Sequence, residues 1–388
     1  MGRAVAIIGM GQTKCGKRTD VSYPELIYEA VRRAFEDAGL NPEDIEAIVS
    51  GSMPPAMEGV NNPHLYWVDA MGGGAKPVMR IATCGSTGIS LAHAGFYHVA
   101  SGLFDLVLVV GAEKMYEGDP QGVMATVADP FFQRPFLAGA PGIFSLQCNE
   151  WAHHYGLEEK RVRMAAAELS VRNHMDAIDN PYAHIKVKID VQDVLKSRII
   201  AYPVRILDLC PASDGACAVI MASERKVRKI GAKPAWIRGV GYCGEGAFFG
   251  EGDKVIWQAA INAAKTAYKQ AGITDPRKEL DVAEVYNPFT FQEMLFYECF
   301  GFCDFGHACE LVESGMVMKG GALPCDPSGG VLCTNPIGAT GLQRTAEIAL
   351  QVTSKAGEHQ IPGASIGLAH ALGGLDQFNG VMIISNSL

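Results

Sequence analysis

Short apolar runs alternate with amphipathic stretches along the first 115 residues, which predicts strands and helices in alternation. The first helix has clear ends, because Ser22 is a cap residue followed by an acidic turn and Gly39 is a typical stop. In chain order the pattern predicts a strand at 4–8, a helix at 22–38, a strand at 45–49, a helix at 89–101 and a strand at 106–111. The predicted strands at 4–8 and 106–111 are apolar throughout, which is typical of strands buried on both faces in an α/β protein.

The same order of elements returns in the last third of the chain. The second copy comprises predicted strands at 235–240, 282–285, 365–369 and 380–385 and predicted helices at 255–271 and 342–352. Two copies of one strand–helix pattern predict a pseudo-twofold architecture, in which loops from both halves meet at the pseudo-axis. We assign residues 1–115 and 203–233 to the first half and residues 234–388 to the second.

An irregular stretch, residues 116–202, separates the two copies and is predicted to be an inserted domain. It contains the segment 129–136 and then an amphipathic helical pattern over 148–174. Long inserted loops with their own aromatic residues usually cover a functional site. Phe131, Phe132 and Phe136 surround Arg134, which would suit a substrate that bears an aryl group and a carboxylate. The alternative is an ordinary loop core with a surface arginine.

Composition narrows the class of protein. The chain has 388 residues and a net charge of −9, which argues against a general nucleic-acid surface. No apolar stretch is long enough to span a bilayer. Eleven cysteines in no paired pattern, without a signal peptide, indicate reduced thiols and a cytoplasmic location. The cluster Cys299, Cys303, His307 and Cys309 lacks a Cys-x-x-Cys pair, so we expect no metal site there.

Candidate chemistry centres on the loop 82–88, which reads Ala-Thr-Cys-Gly-Ser-Thr-Gly and precedes a predicted buried helix. A cysteine at the start of a helix lies near unpaired N–H groups and the positive end of the dipole, which favour the thiolate. The neighbouring glycines let a carbonyl approach the backbone, where N–H groups stabilise an oxyanion. The alternative interpretation of Cys84 is a buried structural cysteine.

Four segments resemble the thiolase superfamily and occur in its order along the whole chain. They are the loop 84–88, the segment 213–216 (Ser-Asp-Gly-Ala), the stretch 327–330 (Pro-Ser-Gly-Gly) and the loop 335–341. The sterol-carrier-protein-like and archaeal thiolases are the most similar branch. The resemblance implies a five-layer αβαβα fold, at least a homodimer, and acyl-coenzyme A substrates. It also implies coenzyme A as a co-substrate and no permanently bound cofactor.

The resemblance assigns roles to four side chains. Cys84 matches the nucleophile that carries the acyl group, and His370 matches the histidine of the sterol-carrier-like branch that serves as a base. Two positions depart from the family pattern. The usual activating histidine of Gly-His-Pro is replaced by Asn335, and the His-Asp-Cys-Phe motif begins with Tyr286. An amide cannot accept a proton as a base, but it can donate a hydrogen bond to a thioester oxygen.

We expect Tyr286 to donate to the departing enolate or to fix Asn335. Backbone N–H groups at Cys84 and at Gly373 and Gly374 are expected to form the oxyanion hole. Structural alternatives are a core histidine, a loop amide bonded to its own backbone and a buried tyrosine.

Three functions remain open at this point. The leading hypothesis is a thiolase that makes or cleaves a 3-oxoacyl-CoA through an acyl-cysteine, and one family member that meets the aryl and carboxylate expectation cleaves 2-benzoylsuccinyl-CoA. The second is a thiolase-fold retro-aldolase that uses Tyr286. The third is a non-catalytic acyl-CoA-binding scaffold subunit. The resemblance also implies a two-component complex with a small zinc-ribbon/OB-fold partner.

Overall fold

The computed structural model describes residues 2–53, 57–131, 133–136, 139–246, 253–375 and 377–388. Its strands are β1 (Val5–Gln12), β2 (Ala47–Gly51), β3 (Val78–Arg80), β4 (Leu106–Lys114), β5 (Ile199–Ala201), β6 (Val204–Arg205), β7 (Asp214–Ser223), β8 (Ala235–Gly244), β9 (Val282–Glu284), β10 (Ile366–Gly373) and β11 (Phe378–Ser385). Its helices are α1 (Tyr23–Ala38), α2 (Pro63–Trp67), α3 (Thr87–Ala100), α4 (Pro120–Ala125), α5 (Gly139–His154), α6 (Glu159–Ala177), α7 (Val191–Lys196), α8 (Glu224–Ile230), α9 (Gln258–Ala271), α10 (Pro276–Glu279), α11 (Thr290–Cys299), α12 (Ala308–Glu313), α13 (Gly330–Cys333) and α14 (Ile337–Val352).

The predicted internal repeat is visible in the strand order. One large sheet runs β3-β2-β4-β7-β1-β8-β11-β10-β9, so the first five strands come from the first copy and the last four from the second. The two halves join where β1 pairs antiparallel with β8. In the second half, a single parallel bridge joins Ala283 of β9 to Cys325. This bridge corresponds to the parallel pairing of β3 with β2 in the first half. The order of elements therefore mirrors itself about the junction of β1 and β8.

Five layers follow from how the helices pack. Helix α1 lies on the outer face of β1, β4 and β7, and α9 lies on β8 and β11. Helices α3 and α14 pack against each other and form the layer between the two half-sheets. The strands are buried on both faces, as their apolar sequences predict, because each half-sheet lies between helices. The expected αβαβα thiolase fold is thus confirmed.

Local sequence signals explain the ends of the first helix. Ser22 and Glu25 form a reciprocal capping box at the start of α1, and Gly39 ends it in the left-handed conformation. The pattern over 148–174, by contrast, is two helices rather than one. Helix α5 ends at His154 and α6 begins at Glu159, because Gly156 adopts a φ of +61° between them. In the described part of the chain, no helix is long and apolar enough to cross a membrane.

Candidate active site

Cys84 lies in a tight turn that connects β3 to the central helix α3. Its backbone has a φ of +57°, a left-handed conformation that is uncommon for any residue with a side chain. The turn is held from both sides, since the N–H of Thr83 donates to the hydroxyl of Thr87 over 2.9 Å and the N–H of Thr87 donates to the carbonyl of Cys84 over 3.0 Å. Local backbone strain of this kind is concentrated at functional sites.

The loop that follows β10 packs directly against this turn. A Cβ added to Gly85 would lie 2.6 Å from the carbonyl oxygen of Leu372, and one added to Gly373 would lie 2.3 Å from the hydroxyl of Ser86. Only glycine fits at these two positions. Gly374 lines the same cleft as Cys84, and its N–H group favours the Cys84 thiolate. The structure therefore brings one of the two predicted oxyanion glycines, Gly374, to the nucleophile, whereas Gly373 contacts the turn behind it.

Burial raises the pKa of the Cys84 thiol above its ordinary value of 9.0. Hydrogen bonds from the N–H groups of Gly374 and Gly85 favour the thiolate and offset part of this increase. The sequence predicts that the start of a helix favours the thiolate of Cys84. Helix α3, however, begins only at Thr87, three residues after Cys84. Burial therefore outweighs the donors, and the thiol form dominates near neutral pH.

The Cys84 sulfur opens into a cleft of about 720 Å³, counted with its open mouth. Loops of both halves and two helices of the inserted segment, α4 and α5, line it. Its lining residues are Cys84, Gly85, Met115, Pro120, Gln121, Met124, Ala140, Pro141, Phe144, Leu209, Cys210, Pro211, Ala212, Tyr286, Pro288, Phe289, Asn335, Ile337, Leu372 and Gly374. The walls are mostly apolar, and none of these lining side chains is a lysine, arginine, aspartate or glutamate. An apolar cleft with a few convergent polar groups is typical of a small-molecule site.

Tyr286 and Asn335 line the cleft with Cys84, as the resemblance implies. The hydroxyl of Tyr286 lies against Gly85, 3.0 Å from where a Cβ of that glycine would stand. Asn335 is held in one orientation, because its Oδ1 accepts a hydrogen bond from the Thr340 hydroxyl over 2.9 Å. Its Nδ2 is consequently the atom that points to the cleft, as a donor.

Cys210 is a cleft residue that the sequence analysis did not identify as functional. Its sulfur accepts a hydrogen bond from Nδ2 of Asn335 over 3.1 Å, and its N–H donates to the carbonyl of Pro288 over 2.9 Å. The sequence offers only a weak signal for it, since Cys210 immediately precedes Pro211 and the Ser213-Asp214-Gly215 turn. Cys210 lies in the cleft because the loop before β7 pairs with the loop after β9. No local sequence pattern predicts this pairing.

His370 does not reach the cleft. It is fully buried on β10, where its Nδ1 accepts the N–H of Tyr286 over 3.2 Å and its Nε2–H donates to Oδ1 of Asn379 over 3.1 Å. The rings of Phe296 and Phe300 lie edge-on to it, at centroid distances of 4.3 and 4.8 Å. Burial lowers the pKa of His370 to about 3, so the ring is neutral. In this geometry His370 is enclosed in the core and does not line the cleft, and its role as a base stays a prediction.

Phe131 and Arg134 of the segment 129–136 do not line the cleft either. Phe131 is 79% exposed, and Arg134 donates from its guanidinium to the carbonyls of Thr126 and Ala128, over 3.0 and 3.2 Å. Phe132 and the side chain of Phe136 lie outside the described residues. Arg134 therefore holds its own loop together, and the described contacts give no support for a carboxylate bound by this arginine.

No metal cluster is found in the ranges that the structure describes. His307 pairs with Glu310 over 2.6 Å on the exposed start of α12. The cysteines of this region pack in or against the hydrophobic core.

Comparison with known proteins supplies the family context for this site. A family model described as thiolase, N-terminal domain, matches residues 5–225, and one described as thiolase C-terminal domain-like matches residues 246–386. An acetyl-CoA acetyltransferase of Methanothermobacter thermautotrophicus is 34% identical to the chain, over 99% of this chain and 100% of that protein.

Two further similarities concern a specialised thiolase and an aldolase. The benzoylsuccinyl-CoA thiolase subunit BbsB of Thauera aromatica is 27% identical, over 96% of this chain and 95% of that protein. The solved structure of the Ltp2-ChsH2(DUF35) aldolase has a TM-score of 0.84 at 24% identity, covering 100% of this chain and 99% of that one. That last similarity is one of fold.

Proposed function

Because the chain belongs to the thiolase family and is an acyl-CoA C-acyltransferase, we propose that it makes or cleaves a 3-oxoacyl-CoA through an acyl intermediate on Cys84. We propose further that the acyl group it transfers is apolar and aromatic. The observation that carries the proposal is the strained turn that presents the Cys84 thiol to an uncharged cleft. Coenzyme A is the co-substrate, as in the family.

Thiolase chemistry needs a nucleophile that is also a good leaving group, and a thiolate is both. The N–H groups of Gly374 and Gly85 favour the thiolate of Cys84, and we propose that they also donate to the oxygen of a bound carbonyl. Nδ2 of Asn335 is a further donor on the cleft wall. These groups support a covalent acyl-transfer role for the turn.

The cleft walls support an apolar acyl group. Phe144 from α5 and Phe289 from the loop after β9 pack with their ring centroids 5.1 Å apart, and both line the cleft. Aromatic walls favour a flat aryl group through edge and offset contacts. BbsB is described as a benzoylsuccinyl-CoA thiolase subunit, and a benzoyl group has the shape and polarity that these walls accept.

A free carboxylate on the transferred acyl group fits this cleft poorly. Burying a carboxylate without a cationic or hydrogen-bonding partner is costly. None of the lining side chains is cationic, and the residues outside the described ranges include no lysine, arginine or histidine. We therefore propose a benzoyl-type acyl group rather than a succinyl-type one, with any carboxylate on the half of the substrate that leaves with coenzyme A.

The assembly and location that we propose rest on separate observations. Strand β3 is an edge strand of the large sheet with Met79 55% exposed, which supports pairing with a second copy. A small partner with a zinc ribbon and OB-fold is supported by the Ltp2-ChsH2(DUF35) aldolase, which has two named components, and by BbsB, which is described as a subunit. All eleven cysteines are free, which supports a reducing, cytoplasmic compartment.

Intact-protein mass spectrometry tests the proposal. The full chain and a Cys84→Ala variant are each mixed with benzoyl-CoA, acetyl-CoA or succinyl-CoA. We expect one benzoyl adduct per chain, slower acetylation, the least succinylation, and no adduct in the variant. Absence of every adduct from the wild-type chain would overturn covalent thiolase chemistry.

The retro-aldolase alternative is favoured by one observation, the Tyr286 hydroxyl against the nucleophile turn. It requires no acyl-enzyme, so the same experiment separates the two functions. A chain that forms no adduct but cleaves a 3-hydroxyacyl-CoA, and loses that activity in Tyr286→Phe, would be an aldolase. A chain that binds acyl-CoA and does neither would be a scaffold subunit.

A further inference from the structure

The proposed function leaves one chemical role without a residue. Cleavage of the carbon–carbon bond produces an enolate that must be protonated, and the incoming coenzyme A thiol must lose a proton. His370 is buried away from the cleft. The side chains on the described cleft wall that can exchange a proton are Cys84, Tyr286 and Cys210. Cys84 is occupied as the acyl carrier, which leaves a tyrosine and a second cysteine.

The position of Cys210 is fixed by the fold. Leu209 and Phe289 form an antiparallel bridge, and the N–H of Cys210 donates to the carbonyl of Pro288 over 2.9 Å. The strand-like pairing ties Cys210 to the segment that carries Tyr286. Cys84, Cys210 and Tyr286 all line the same cleft.

The polar contact of Cys210 suits a group that alternates between thiol and thiolate. Nδ2 of Asn335 donates to its sulfur over 3.1 Å, and the Thr340 hydroxyl prevents the amide from turning by donating to Oδ1. A donor aimed at sulfur stabilises negative charge there and leaves the S–H free to point elsewhere. This fixed amide is a second observation, independent of the cleft, that points to a working thiol.

We propose that Cys210 is a second catalytic cysteine, which exchanges a proton with the α-carbon of the departing acyl-CoA, and that Asn335 stabilises its thiolate. The inference rests on the proposed thiolase function and names the residue that completes it. Tyr286 then has a neutral role, because burial raises the pKa of its hydroxyl well above the ordinary value and keeps it protonated.

With these two thiols, every proton and every electron pair of the thiolysis cycle is accounted for. The Cys84 thiolate attacks the 3-oxo carbon, the bond between carbons 2 and 3 breaks, and its electron pair becomes the enolate of the departing acyl-CoA. The Cys210 S–H bond breaks as its proton forms the new C–H bond, which leaves a Cys210 thiolate. That thiolate takes the proton of incoming coenzyme A, whose sulfur attacks the acyl-Cys84 thioester and releases the Cys84 thiolate.

The acid strength of Cys210 is compatible with this step. Burial raises its pKa to about 11, and the hydrogen bond from Asn335 lowers the pKa and so limits that increase. The side chain is therefore a thiol near neutral pH, as the protonation of an enolate requires. It is also a stronger acid than the α-carbon, so the proton moves in the required direction.

The experiment measures proton transfer and acyl transfer separately. Probes are deuterium incorporation from D2O into the methyl group of acetyl-CoA, thiolysis of 3-oxo-3-phenylpropanoyl-CoA, and formation of benzoyl-Cys84 from benzoyl-CoA. In Cys210→Ala we expect deuterium incorporation and thiolysis to fall by about 100-fold or more, and benzoyl-Cys84 formation to change by less than about tenfold. Cys210→Ser keeps the shape but is a much weaker acid, so it should show the same loss.

Cys303→Ala is the matched control, because Cys303 is a half-buried thiol outside the cleft lining, and it should behave as wild type. Full deuterium exchange and thiolysis in both Cys210 variants, with benzoyl-Cys84 still formed, would overturn the inference and leave the proposed function intact. Failure of the wild-type chain to form any acyl-Cys84 would instead overturn the proposed function. If exchange nevertheless depended on Cys210, the proton-transfer role would stand alone.

Discussion

Nδ1 of His370 accepts the backbone N–H of Tyr286 over 3.2 Å, so the histidine supports a cleft residue without entering the cleft. The ring is neutral and enclosed by two phenylalanine rings, which makes it part of the core. The effect of this contact on catalysis is indirect, because it sets the path of the segment that carries the tyrosine. A positioning residue of this kind affects stability more than turnover.

We predict that His370→Gln lowers the free energy of unfolding but leaves kcat for thiolysis within about threefold of wild type. The buried polar contacts with Tyr286 and Asn379 are lost or weakened, whereas no group of the cleft changes. Urea unfolding and steady-state kinetics on the same preparation measure both effects. A 100-fold loss of kcat with unchanged stability would return His370 to the role of a base.

The pH dependence of stability gives a second test of this histidine. Its pKa is about 3 in the folded chain and near 6.5 when unfolded, so the unfolded chain binds an extra proton between these values. The stabilisation is fully present above about pH 6.5 and is lost as the pH falls toward 3, by up to about 5 kcal/mol. Urea unfolding from pH 7 to pH 5 should therefore show a shallower loss of stability in His370→Gln than in wild type.

Acylation of Cys84 is predicted to accelerate with pH. Burial raises the pKa of this thiol above 9.0, so only a small fraction is thiolate at neutral pH. Below the pKa, the thiolate fraction and the acylation rate rise about tenfold for each pH unit. The rate of benzoyl-Cys84 formation from pH 6.5 to 9 measures this directly. A plateau already reached at pH 7 would mean that the donors at Gly374 and Gly85 outweigh burial.

The tight contact at Gly85 predicts that Gly85→Ala impairs catalysis. Its new methyl group would lie 2.6 Å from the Leu372 carbonyl and 3.0 Å from the Tyr286 hydroxyl, so the nucleophile turn must move. A displacement of about 1 Å at a reacting group costs on the order of 100-fold in rate. Gly74→Ala, where a Cβ meets nothing within 4 Å, is the matched control and should retain activity. Thiolysis kinetics together with thermal unfolding separate the two variants.

Aromatic selectivity is predicted to depend on Phe144. Phe144→Ala removes one ring of the pair with Phe289, and we expect the preference for benzoyl-CoA over acetyl-CoA in acylating Cys84 to fall by about tenfold. Arg134→Ala should leave the preference unchanged, since its guanidinium contacts only the loop backbone in the described structure. Mass spectrometry with both thioesters in competition gives the ratio. An unchanged ratio in Phe144→Ala would contradict the aryl acyl group.

Sequence patterns predict the repeat, the capped first helix and four residues of the cleft wall, because these depend on local order and on recognisable loops. They do not predict which way His370 faces. Side chains alternate along a strand, so proximity to the glycine turn at 373–374 leaves open which side of β10 the ring occupies. Cys210 was missed for a different reason, since it reaches the cleft through a contact between loops that are about 80 residues apart in sequence.

The close approach of the two central helices has a consequence for how this chain can change in evolution. A Cβ at Gly88 would stand 2.2 Å from the backbone nitrogen of Leu342, and one at Gly341 would stand 2.5 Å from that of Ile89. The start of the central helix in each half therefore has no space for a larger side chain, because the helix of the other half lies against it. A mutation to a larger side chain at the start of one central helix is tolerated only if the other central helix moves. The two halves must therefore diverge as a pair, even though each began with the same pattern.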